Sequence, residues 1–188
     1  STVSSTGGGN VDLAATDNVS LSALSTTGAV TVTSTAGSIF DNGDDATDIS
    51  AATAVLSANG SVGQTSGTGN GLLETTLDNV EVSATTGGVF LTDSTDLTVG
   101  GVSATTGISA AGDVDLDVNG SLTVDEDVTS GTSLTIDTTN DVTANAAVMA
   151  TSGMAITAGT NNTGSITVSG TGSLTTTGAG ADIALTLS

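Results

Sequence analysis

The sequence predicts an all-β chain wound as a parallel β-helix (β-solenoid) with about 20 residues per coil. Three observations predict it. Apolar and polar residues alternate in short runs, the period of a half-buried strand. The runs recur at a fixed spacing: shifted by 20 residues, the stretch 113–148 places Val114 on Leu134, Leu116 on Ile136, Leu122 on Val142 and Val128 on Val148. Gly or Asn stands between most runs, as at Gly112, Gly120, Gly131, Asn140 and Gly153, where the chain must turn tightly. A strand pattern repeating at such an interval marks a solenoid, in which each coil buries its apolar face with its neighbours.

Taken in order, residues 1–9 carry little pattern. Strands are predicted at 10–13, 18–21, 29–32 and 38–40. The steps from Val11 to Val30 (19 residues) and from Val19 to Ile39 (20 residues) carry the same repeat. An acidic loop follows, DNGDDATD at 41–48. Weaker strands are predicted at 54–56 and 61–62, and QTSGTGNG at 64–71 reads as a protruding loop. Strands at 79–82, 89–91 and 96–99 lead into the regular stretch, and those at 155–157, 165–168, 173–175 and 182–185 follow it. No segment has helical periodicity with caps, and no linker divides the chain. The 188 residues therefore read as one solenoid domain of about nine coils. Strand-like sequence runs almost to the C-terminus as DIALTL, with no proline or basic residue after it. That end predicts a segment of a longer repetitive protein, or a fibre subunit that stacks on other copies.

Composition excludes several functions. The chain has no Lys, Arg or His and 20 Asp and Glu residues, for a formal net charge of −20. Nothing on it can neutralise a phosphate, so neither nucleic acid nor an anionic membrane surface is an expected partner. No apolar run approaches the ~18 residues of a membrane span. With no Cys there are no disulfides or thiolate metal sites. Catalysis is not expected, because His, Lys, Cys and Tyr are all missing. Carboxylate-only chemistry, as in glycoside hydrolysis, would have to use Asp113/Asp115/Asp117 or Asp125/Glu126/Asp127. Strand alternation aims Asp113, Asp115 and Asp117 outward while Val114, Leu116 and Val118 face inward, so a solvated face is the favoured reading. No catalytic, cofactor-binding or metal-binding residue is assigned.

Calcium is the one candidate cofactor. At 20 residues per coil Asp117 stacks on Asp137, about 4.8 Å away. The loop 41–48 also supplies the oxygen ligands that calcium takes. It lacks the EF-hand pattern, since Ile49 falls where glycine is needed when counting starts at Asp44. Thr31, Thr98, Thr123, Thr135, Thr143, Thr157 and Thr167 each follow an inward apolar residue and should face outward. A flat ice-binding surface needs paired threonine columns, and only Thr31-Val32-Thr33 and Thr175-Thr176-Thr177 supply both members, so good strand propensity explains them better. Asn18, Asn59, Asn119 and Asn161 head glycosylation sequons, frequent by chance in so Ser- and Thr-rich a chain.

The phrases NVSLSALSTTGAVTVTSTAGSIFD (18–41) and NGSLTVDEDVTSGTSLTIDTTNDVTANAAV (119–148) resemble the repeats of filamentous-haemagglutinin-like bacterial exoproteins. The resemblance covers most of the chain from Asn10 onward. It implies a right-handed parallel β-helix in a secreted or surface-attached adhesin. It further implies a structural or adhesive rod, with host or surface glycans or proteins, or other copies of itself, as partners. Two alternatives are a self-assembling filament or surface-layer subunit, and a carbohydrate-binding or carbohydrate-cleaving β-helix.

Overall fold

The computed structural model describes residues 2–5, 8–43, 45–65, 71–104, 107–161 and 163–188. Among the described residues 23 strands form and no helix, and every strand pairing is parallel. The chain is a β-solenoid. Nine strands, from Thr2–Ser5 to Ile183–Leu187, stack in one sheet, twelve in a second and two in a third.

The pairing expected from the repeat is present in the regular stretch. Val114 pairs with Leu134, Leu116 with Ile136, and Asp117 with Asp137. Leu122 pairs with Val142, and Val128 with Val148. Val11 pairs with Val30 and Val19 with Ile39. Inward residues along the stack, from Val11 through Val30, Leu56, Val82, Leu116 and Ile136 to Ala158, form one continuous apolar core. Aliphatic side chains of similar size succeed one another in register, so each coil meets a partner of matching width.

A uniform 20-residue coil is not what forms. The interval is 18 residues from Leu73 to Leu91, 25 from Val89 to Val114, and 29 from Met154 to Ile183. A turn averages about 24 residues. The excess lies in corner loops, which lengthen a coil without disturbing its strands. Five short strands also lie outside the sequence prediction: Thr2–Ser5, Ala23–Thr26, Ile49–Ser50, Leu73–Thr76 and Ile108–Ala110. The pair predicted at 61–62 contracts to single bridges from Val62 to Ile39 and to Val89. Residues 66–70 of the predicted loop lie outside the described residues. Its described ends are joined by a bond from Gln64 N–H to the Gly71 carbonyl at 3.2 Å.

Coils on either side of the middle have one long strand and shorter ones, and the long face changes sides midway. In the early coils the long strands are Ala29–Ser34 and Thr53–Ala58, and the short ones include Ile39–Asp41 and Ile49–Ser50. Asn79–Ala84 still lies along all of Thr53–Ala58. On its far side two short strands share it: Leu97–Val99 at Asn79 and Val80, and Ile108–Ala110 from Val82 to Ala84. The opposite merger occurs at Val89–Asp93, which meets Val62 through Val89 and Leu73–Thr76 through Leu91 to Asp93. From there Val114–Val118 and Ser133–Thr138 carry the long face.

Each joint has an outward residue that is buried all the same. At the split it is Glu81, which is fully buried. Its Oε1 accepts the N–H groups of Val102 at 2.7 Å and Ser103 at 2.9 Å, and the Ser103 hydroxyl donates to Oε2. From the next coil Glu126 accepts Gly101 N–H at 3.2 Å and Gly107 N–H at 2.7 Å. Two carboxylates therefore hold the loop from either side. Gly107 has a φ of +61°, and a Cβ there would lie 2.2 Å from the Asp127 carbonyl oxygen, so glycine is required. At the merger it is Phe90.

Candidate functional site

Asp41 ends the strand Ile39–Asp41, and Asp48 immediately precedes Ile49–Ser50. Between them the chain leaves the solenoid; Asp44 lies outside the described residues. The Asp41 carboxylate accepts Gly43 N–H at 2.9 Å on one oxygen and Gly71 N–H at 3.2 Å on the other. Asp48 is fixed through its backbone. Its N–H donates to the Glu74 carbonyl at 2.9 Å, and its carbonyl accepts Leu24 N–H at 2.6 Å. This register sets Asp48 level with Glu74, one step before the pair Ile49–Thr75. Asp41, Asp48 and Glu74 each bring a carboxylate oxygen within 4.8 Å of the other two.

Asp41 and Asp48 are buried, Asp48 completely, and Glu74 is half-buried. Among the described residues, neither oxygen of Asp48 has a hydrogen-bond donor, and nor does Oε2 of Glu74. Burial, then the Asp41 charge, then the Glu74 carboxyl, as hydrogen-bond partner for a protonated Asp48 and as a charge, push the Asp48 carboxyl up to about 8. Burial and the Asp41 charge raise Glu74 as well. With no Lys, Arg or His in the chain, no side-chain cation can relieve this concentration of charge. Three convergent, hard oxygen donors suit a hard cation. Beside them a groove of about 260 Å³ opens among Asp45, Thr47, Glu74, Thr92, Asp93 and Asn119.

Comparison with family models, with curated proteins and with solved structures found no match for this chain. The reading of its acidic residues therefore rests on the geometry.

The other carboxylates divide into two kinds. One kind is structural. Asp93 is buried but satisfied, by Thr75 Oγ1 at 2.7 Å, Leu77 N–H at 3.0 Å, and Thr95 N–H and Oγ1 at 2.9 Å each. Several corners carry an Asx residue just before an apolar strand residue, and its side chain accepts an N–H from the next coil. Asn10 takes Ala29, Asn18 takes Ser38, Asp96 takes Ser121, Asp113 takes Ser133, Asp127 takes Ala147 and Asp141 takes Ser165. These bonds give corner N–H groups the acceptor that the strand ladder does not supply. Asp125 accepts Asn145 Nδ2 at 2.8 Å. The cluster Asp125/Glu126/Asp127 is thus a set of loop and corner ties, and Asp113 another such tie, where the sequence suggested a solvated face.

The second kind is the outward column. Asp115 and Asp117 lie on one strand, with Asp137 stacked beside Asp117 on the next. Burial raises both Asp115 and Asp117, and the Asp137 charge adds to each. A carboxyl raised in the folded state favours folding when protonated. Its contribution is complete below the ordinary value of 3.8 and is lost as pH rises through the folded-state value. The melting temperature should accordingly rise as pH falls from 6 toward 4. Asp117→Asn/Asp137→Asn should shrink that rise and lift the melting temperature at pH 7. A wild-type-like pH profile in the double variant would contradict the assigned repulsion.

Of the two calcium candidates, the structure gathers one. Asp117 and Asp137 remain a pair on an outer face. The loop 41–48 supplies two ligands to a three-carboxylate group whose third member, Glu74, the sequence did not single out. Register alone reveals it, since Asp48 and Glu74 are 26 residues apart and a 20-residue repeat misaligns them. Thr98, Thr123, Thr143 and Thr167 do stack in register as a column, but on three-residue strands it is one threonine wide. Among the sequons, the side chains of Asn18 and Asn161 are engaged: Asn18 with Ser38 N–H, and Asn161 with Asn140 and Thr163.

Proposed function

We propose that the chain is a stiff structural segment of a bacterial extracellular or cell-surface protein, an adhesive rod of the filamentous-haemagglutinin-like kind. The observation that carries this reading is the unbroken stack: nine parallel strands in one sheet over a single core. At ~4.8 Å per strand the stack is roughly 40 Å long. Such a scaffold holds whatever flanks it at a fixed distance and presents its lateral faces, rich in Ser, Thr and Asp, to glycans or proteins. Small-angle X-ray scattering should give a rod profile of that length, and glycan and matrix-protein arrays should register binding that survives physiological salt. A globular scattering profile, or arrays blank throughout, would count against an adhesive rod. Turnover of an arrayed oligosaccharide would favour a carbohydrate-active helix instead.

A specific observation supports the filament alternative as well. Ile183, Leu185 and Leu187 alternate along a strand but are 39%, 53% and 63% exposed, because among the described residues no further coil covers them. An open strand edge beside an apolar row favours stacking of another coil, whether from further sequence of the same protein or from a second copy. Sedimentation velocity should show association that rises with concentration and with salt, which screens the −20 charge. Leu185→Asp should abolish it. A monomer under all conditions would remove self-assembly from consideration.

A further inference from the structure

We propose that Asp41, Asp48 and Glu74 form a calcium site that clamps the 42–47 loop onto two successive coils. Three observations lead there. First, oxygens bound to one calcium at 2.3–2.6 Å can be no more than about 5 Å apart, and the three carboxylates offer oxygens within 4.8 Å of one another. Second, Asp48 is fully buried and, among the described residues, both its oxygens lack a donor, as does Glu74 Oε2. Buried carboxylates left this way are strongly unfavourable, and native structures pair them or ligate them. Third, the usual partner does not exist, since the chain has no Lys, Arg or His.

A proton shared between Asp48 and Glu74 is the competing occupant. It would satisfy one oxygen on each residue and leave the second oxygen of Asp48 without a partner. It would also leave Asp41 outside the shared proton, with only the N–H groups of Gly43 and Gly71 as its partners. A divalent cation takes one oxygen from each of the three carboxylates and balances more of the charge. Calcium fits better than magnesium. The donors come from an irregular loop and a neighbouring strand, and calcium accepts variable geometry, whereas magnesium demands a near-ideal octahedron and gives up its waters reluctantly. The exposed Asp45, at the mouth of the adjoining groove, adds attraction for an entering cation.

The scaffold is preformed: Asp48 is held by backbone bonds to Leu24 below and Glu74 above. The ion joins the two ends of the loop, Asp41 and Asp48, to the next coil at Glu74. This clamp is independent of the proposed adhesive role.

The test uses the whole chain, stripped with EDTA, dialysed, and titrated with calcium chloride in 150 mM sodium chloride at pH 7.5. Calorimetry should show one saturable site with a Kd below about 1 mM, within the range of calcium modules. The melting temperature should rise by several degrees as calcium saturates the native state. Asp48→Asn and Glu74→Gln should melt in EDTA no lower than wild type, since each replaces a carboxyl whose charged form the buried site disfavours, and should lose at least tenfold in affinity along with the thermal shift. Asp117→Asn/Asp137→Asn, with the same change in charge as two such substitutions, should keep both. The proposal is overturned if wild type shows no saturable binding, or if Asp48→Asn responds to calcium as wild type does. It is also overturned if the column variant loses the response, which would mark diffuse attraction to an acidic surface. An equal thermal shift from magnesium would overturn the assignment to calcium.

Discussion

Leu122→Asp is expected to unfold the middle of the solenoid, whereas Thr123→Asp should leave it folded. The two residues are neighbours on one three-residue strand, yet they meet opposite environments. Leu122 is fully buried and stacks between Leu97 and Val142 in the core. Replacing it forfeits about 1.5–3 kcal/mol of apolar burial. It also places a carboxyl where no donor or cation is available, a cost of several kcal/mol more even if the group protonates. The total rivals the stability of an ordinary domain. Thr123 points outward between Thr98 and Thr143, and a charge there remains hydrated. Its cost should stay below about 1 kcal/mol, the usual range for surface changes. Urea or thermal denaturation of the pair measures the difference. Equal losses would refute the assigned strand orientation.

Glu81→Ala should be the next most damaging change and should act locally first. Glu81 is fully buried at the point where one long strand gives way to two short ones. Its carboxylate accepts from two backbone N–H groups and one hydroxyl of the inserted loop, at Val102 and Ser103. Bonds to a charged acceptor are worth about 1.5–3 kcal/mol each, and truncation also leaves the donors without partners. A loss of about 2–4 kcal/mol is expected. Glu81→Gln should lose less, since its amide keeps one acceptor oxygen for the backbone donors but turns an N–H₂ toward the Ser103 hydroxyl. Hydrogen exchange should accelerate at Val102 and Ser103 well before Leu116 or Ile136 in the core. Unchanged protection of these two amides in Glu81→Ala would show that the loop holds itself.

The contrast between these two sites explains what could be read in advance. Leu122, Val142 and their outward threonines are legible because two successive coils there, Ile108 to Val128 and Val128 to Val148, both have 20 residues. With equal lengths, a linear shift of the sequence is also the spatial register. The early coils offer no such shortcut. The strands Ala23–Thr26, Ile49–Ser50 and Leu73–Thr76 carry too few apolar residues to display a period, and they are strands because a neighbouring coil supplies a hydrogen-bond partner at that level. Phe90 follows the alternation of its strand as an outward residue and is nevertheless buried, beside Gly63 and Gly88.

By itself, then, the sequence determined that the chain is a parallel β-solenoid with Val, Leu, Ile and Ala inward, and it determined the register of 113–148. Alternation and equal spacing are one-dimensional properties, and a regular coil converts them directly into stacking. The transfer of the long face from one side to the other was decided only in three dimensions, as were the corner duties of Asp96, Asp113, Asp127 and Asp141 and the meeting of Asp41, Asp48 and Glu74. Each depends on which carboxylate lies above which backbone donor or beside which second carboxylate. Insertions of a few residues at a corner reset that alignment while leaving the local pattern of every strand unchanged.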